Sequence, residues 1–147
     1  MRGGRCFADL NFCLRTSITG AMSAAAIPRV YRQNAVLSAS QCELVVMQYD
    51  GARRFLRQAA SAMRGGEVER AHKTLRRAEM LIAHLDGTLD HDRGEIPAQL
   101  HAIYSFCLDH LNAARMQSDA GKLEEVGELL GELREAWAQV AAGAGAQ

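Results

Sequence analysis

Apolar residues recur along this chain at alternating three- and four-residue steps, and four stretches carry the pattern. Leu44, Met47, Gly51 and Phe55 mark the first. Val68, Ala71, Leu75, Ala78, Ile82, Leu85 and Leu89 mark the second, and Leu100, Ile103, Cys107, Leu111 and Ala114 the third. Leu123, Val126, Leu130, Leu133, Trp137 and Val140 mark the fourth. This is the spacing of an amphipathic helix with one buried stripe, and nowhere does a strand-like alternation stand out.

The punctuation between these stretches fits helices joined by short turns. Ser40 with Glu43 three residues on has the spacing of a capping box, which predicts a helix from about Gln41 to Met63. Gly51 is costly inside it, by about 1 kcal/mol relative to alanine, and predicts the close approach of another backbone. Gly65-Gly66 suits a left-handed cap and turn. The second helix begins near Glu67, and Asp90 to Gly94 reads as the next turn. Pro97 is tolerated in the first turn of the third helix, and Asp119 is placed to cap the fourth. Helices of about twenty residues with short connections predict an all-α protein, an antiparallel up-and-down four-helix bundle. Ahead of it, Tyr31 with Val36 and Leu37 reads as an extra N-terminal segment lying over the bundle.

Residues 1–30 carry arginines and scattered apolar residues without periodicity. They are expected to be a disordered extension, with translation beginning at Met22. Asp9, Asn11 and Arg15 interrupt any run that could serve as a secretory core, and no stretch approaches the ~20 apolar residues of a membrane span. The bundle domain is assigned to residues 31–141 and a frayed tail to 142–147.

Composition narrows the function classes. The 147 residues are 48% hydrophobic and 23% charged, with zero formal net charge. This is ordinary for one soluble globular domain and points to neither nucleic acid nor membrane insertion. Arg53, Arg54, Arg57, Arg70, Lys73, Arg76 and Arg77 form basic helical faces. Interleaved glutamates argue against a phosphate-binding stripe, and pairing with the acidic fourth helix (Glu124, Glu125, Glu128, Glu132, Glu135) is expected instead. Cys42 and Cys107 fall at helical positions suited to buried thiols. The five histidines form no i,i+4 pair, and Glu69 to His72 is a single Glu-x-x-His where a di-iron bundle needs two, so no metal is expected. Phosphate loops and nucleophile elbows are also missing, so neither a cofactor nor an enzyme activity is expected. Asp50 reads as a partner in a surface hydrogen bond or ion pair. Val45, Val46, Tyr49, Tyr104, Phe106 and Leu108 add apolar positions beyond a single seam, which means either a fatter core or a groove for a partner helix.

Three blocks give the chain a family likeness. Val36-Leu37-Ser38-Ala39-Ser40 followed by Leu44 to Ala52 is the first. Gly94-Glu95-Ile96 with Leu100 and Ile103-Tyr104 is the second. Leu123 to Val126, Leu129-Leu130 and Leu133 to Trp137 form the third. In this order and spacing, over about Tyr31 to Val140, the chain resembles the FliS family of flagellar export chaperones. The resemblance implies a cytosolic, non-enzymatic chaperone that binds the disordered C-terminal segment of flagellin. It would prevent premature polymerisation and keep the subunit competent for type III export.

The resemblance turns the extra apolar positions toward a groove. Carried over by position, its surface comprises Val36, Leu37, Leu44, Met47, Tyr49, Ile103, Tyr104 and Leu111, with Tyr31 in a segment that covers it until the client arrives. It also implies a contact with the flagellar export gate. A monomer or weak homodimer is expected. Gln41, Gln48, Pro97 and Ser105 depart from the family pattern, and Gln48 bears on the shape of the groove. The alternative is a structural or adaptor bundle that receives some other amphipathic helix.

Overall fold

The computed structural model describes residues 29–92 and 94–145, and the side-chain surroundings of residues 41–92 and 94–142. It contains four helices and no strand among the described residues: α1 Arg29–Arg64, α2 Val68–Gly87, α3 Glu95–Gln117 and α4 Ala120–Gly145. Of the extension assigned to 1–30, residues 1–28 lie outside the described residues, and Arg29 and Val30 belong to α1. α4 runs on to Gly145, past the 142 boundary set for the tail.

α1 corrects the reading of its own start. It passes unbroken through Ser40 and Glu43, so the capping box does not open a helix there. Residues 33–39 contain neither glycine nor proline, and lengthening an existing helix adds one backbone hydrogen bond per residue. A side-chain cap competes poorly with that. The segment expected to lie over the bundle from Tyr31 to Ser40 is therefore part of α1 and not a separate element.

The turns follow their residues. Gly66 has φ 75°, the Glu67 N–H donates to the Ala62 carbonyl, and the Gly66 N–H donates to that of Met63. This is the Schellman closure that Gly65-Gly66 predicts. α3 also ends on a left-handed residue, Ser118 at φ 53°, with the N–H groups of both Ser118 and Asp119 reaching the Ala114 carbonyl. The Asp119 carboxylate then accepts from the Gly121 N–H at 3.0 Å and caps α4, as its position predicts.

The order of cross-helix pairs gives the topology. Along α1 and α4, Arg64 meets Glu124, Arg53 lies over Gly131, Asp50 meets Arg134 and Tyr49 faces Trp137. Residue numbers rise on one helix as they fall on the other, so the two run antiparallel. Between α2 and α3, Asp86 meets His101 and Glu79 meets Arg115, again in opposite order. α1 packs on both α2 and α4, and α3 closes the ring against the same two helices.

The stripes of α2, α3 and α4 point inward where their periodicity puts them. Leu75, Ile82, Cys107, Leu111, Leu123, Val126 and Leu130 have essentially no exposed surface. Val68 is the exception and is exposed. The stripe of α1 is rotated from the expected one. Its core line is Val45, Tyr49, Ala52, Leu56 and Ala59, while Leu44 and Met47 stand outside. Gly51 makes no backbone contact with another helix. The closest neighbour to an added Cβ is Leu81 Cδ1 at 3.4 Å, an ordinary side-chain contact.

Candidate functional site

The residues assigned to the groove separate into two groups. Tyr49, Tyr104 and Leu111 are core residues, at 0%, 1% and 0% exposure. They offer no surface to a partner, which corrects their placement on a groove wall. Ile103 is partly buried against the core. Leu44 and Met47 are 53% and 66% exposed, so the apolar surface of α1 lies there. The side chains of Tyr31, Val36 and Leu37 lie outside the described ones.

The buried group is held by polar chemistry that neither helix can supply alone. The Tyr49 and Tyr104 hydroxyls bond to each other between α1 and α3. The Tyr49 ring lies 6.5 Å from that of Trp137, at a tilt of 42°. Burial pushes the Tyr49 hydroxyl up to about 12 and raises Tyr104 well above the usual tyrosine range, so both stay protonated donors and acceptors. Burial also pushes the neighbouring Cys107 thiol up to about 11, which leaves it a packing residue with no thiolate character at neutral pH.

Charged side chains are spent mainly on tying helices together. Asp50 accepts from Arg134 Nε at 3.0 Å and Nη2 at 3.4 Å, the ion pair its sequence position predicts. That two-pronged contact, with a further bond to Glu135, holds the exposed Arg134 charge above the ordinary arginine range. Arg64 holds the Glu124 carboxyl below its usual value by hydrogen bonding. His110 pairs with Glu125 at 2.6 Å and His101 with Asp86 at 2.7 Å, so α3 is pinned to both neighbours. The expected pairing of basic faces with α4 holds only in part. Arg54 and Arg77 flank the Phe55 ring, at 5.7 and 6.0 Å from its centroid, on the α2 side of α1. Among the described residues no group of three His, Cys, Asp or Glu side chains is placed to hold a metal ion. No described helix is long and apolar enough to cross a membrane.

Sequence reasoning missed two exposed side chains, Met80 and Met116. Phe106, one of the extra apolar positions, is 55% exposed and stacks on His110 at 5.3 Å. A signal was present: Met80 and Met116 lie off the seams of their helices.

Fold and surface together define an all-α helical bundle that keeps polar chemistry for holding its helices and leaves large apolar side chains outside. The chain belongs to the FliS family, the flagellar secretion chaperones: residues 23–144 match the family described as "Flagellar protein FliS". The flagellar secretion chaperone FliS of Bacillus subtilis (strain 168) is 35% identical over 109 residues, covering 74% of this chain and 81% of its own. That of Salmonella typhimurium (strain LT2) is 34% identical over 117 residues, covering 78% and 87%. That of Campylobacter jejuni is 29% identical over 111 residues, covering 75% and 87%.

Proposed function

We propose that this chain binds the disordered C-terminal segment of flagellin in the cytosol, prevents its premature polymerisation and keeps it competent for type III export. The observation that carries the reading is the exposure of Leu44 and Met47, neighbours at three-residue spacing on a helix whose core line runs elsewhere. Removing such side chains from water contributes about 1.5–3 kcal/mol each. A segment that folds as it docks gives up about 2–5 kcal/mol or more in ordering, so several such contacts are needed. The family membership supports a flagellar client, and the apolar surface offers a means of holding it. The loaded chaperone then meets the export gate, acting as a monomer or weak homodimer.

Calorimetric titration of the full chain with a flagellin C-terminal peptide tests this. Saturable binding, with a negative heat-capacity change and delayed filament growth in a polymerisation assay, is the expected result. Absence of binding, beside binding of an unrelated amphipathic helix, would favour the adaptor reading instead.

A further inference from the structure

The surface seam between α1 and α2 is divided along its length. On α1, Leu44, Met47, Gly51 and Arg54 follow one another at three- and four-residue spacing and so share one stripe. On α2, Arg70, Arg77 and Leu81 do the same at steps of seven and four. The two stripes meet where Leu81 approaches Gly51 and where Phe55 lies between Arg54 and Arg77. The half nearer the start of the described side chains is apolar: Leu44, Met47 and Leu81. The half nearer the Gly66 turn has a basic excess, and there Arg57 and Arg70, with Glu67, line a cleft of about 250 Å³.

This chain neutralises the basic half only at Arg70. Among the described residues no carboxylate pairs with Arg54 or Arg77, and Arg70 has only an exposed contact with Glu67 at 3.2 Å, of little net worth. The acidic residues of α4 face the other edge of α1, where Arg64 meets Glu124 and Arg53 lies over Gly131. The exposed Glu43 stands beside the apolar half, so an acidic segment laid the wrong way round would meet like charge.

We propose that the α1–α2 seam receives an amphipathic helical segment of a partner protein that is apolar at the Leu44 and Met47 end and acidic at the Arg54 and Arg77 end, and that this charge polarity fixes the direction in which it docks. From Leu44 to Gln58 the seam is about 21 Å long, room for roughly four turns of a docked helix. The basic half attracts the acidic end at a distance and selects orientation, while the apolar half supplies the contact. The inference deepens the chaperone reading and rests on it for the client's identity, but not for the chemistry of the seam.

Two synthetic 20-residue helical peptides with one common apolar face test it, one carrying a block of glutamates at one end and the other lysines there. The expected result is at least tenfold tighter binding of the glutamate peptide, a preference that shrinks as salt rises. Arg54→Glu with Arg77→Glu should reverse the preference, and Arg54→Gln with Arg77→Gln should abolish it, with circular dichroism confirming the fold of each. Equal affinities, no binding of either peptide, or a preference that survives in both double variants would overturn the proposal. Self-association of the chain that the Glu variant abolishes would assign the seam to the acidic α4 of a second copy, and equally tight capture by anionic vesicles would assign it to a lipid surface; either result overturns it. A flagellin C-terminal peptide in the same titration separates the two readings. If it fails while the glutamate peptide binds, the client assignment falls and the seam stands.

Discussion

The hydroxyls of Tyr49 on α1 and Tyr104 on α3, 55 residues apart in the chain, are hydrogen-bonded to each other in the core of the bundle. Both residues are buried, so each hydroxyl offsets the other's lost hydration, and Trp137 gives Tyr49 a second side-chain hydrogen bond. Tyr49→Phe strands the Tyr104 hydroxyl and should cost about 1–3 kcal/mol, and Tyr104→Phe, which leaves Tyr49 its bond to Trp137, should cost less. Changing both removes the need of the two hydroxyls for each other. The double variant is therefore expected to lose clearly less than the sum of the singles. Urea melts of the four proteins in a double-mutant cycle measure the coupling.

The same pair sets an alkaline limit. Folding raises both hydroxyls above their unfolded value near 10, with Tyr49 at about 12. Below about pH 10 neither state ionises, and the pair's contribution to stability is fully present. As pH rises from about 10 toward 12 the unfolded state releases protons that the folded state keeps, so stability falls across that window. In a Tyr31→Phe background, tyrosinate absorbance should rise together with loss of helical dichroism. Tyrosinate that appears while the helices remain intact would show the pair to be open to solvent.

The left-handed ends of α1 and α3 carry different residues at the strained position, and that difference is measurable. Gly66 and Ser118 occupy the same left-handed position, at φ 75° and 53°. A side chain there costs about 1–2 kcal/mol, partly returned through a less flexible unfolded chain. Ser118→Gly should therefore stabilise the protein, by about 0.5–1 kcal/mol, and Gly66→Ala should destabilise it by a similar amount or more. Thermal melts of both variants check the signs.

The seams of three helices were legible because Leu75, Ile82, Leu111, Leu123 and Leu130 leave only one way to face inward. α1 was legible as a helix but not in its rotation. Its core line is carried by Tyr49 and by alanines at 52 and 59, which are small and draw little notice, while the bulkier Leu44 and Met47 stay outside. Two apolar lines at helical spacing compete on α1, and the choice between them rests on α3: Tyr49 turns inward because Tyr104 is there to bond it. No local pattern announces a partner 55 residues away. The start of α1 was misread for a different reason, since a capping box is a local signal and the helix extends past it. Of the surface assigned to the client, Leu44 and Met47 are exposed, whereas Tyr49, Tyr104 and Leu111 were assigned from resemblance and lie in the core.

The most direct test of the chaperone reading sets a surface change beside core changes on the same chain. Met47→Asp places a charge on an exposed stripe, where it is solvated in the free protein but would be buried against an apolar client without a counter-ion. Tyr49→Asp puts a charge at a fully buried position and is expected to unfold the bundle, and Ile82→Ala should cost about 2–5 kcal/mol of stability. The measurement is calorimetric titration of Met47→Asp with the flagellin C-terminal peptide, alongside its thermal melt. The account expects a melting temperature within a few degrees of the parent and binding weakened at least tenfold. Undiminished peptide binding by a folded Met47→Asp protein would contradict it.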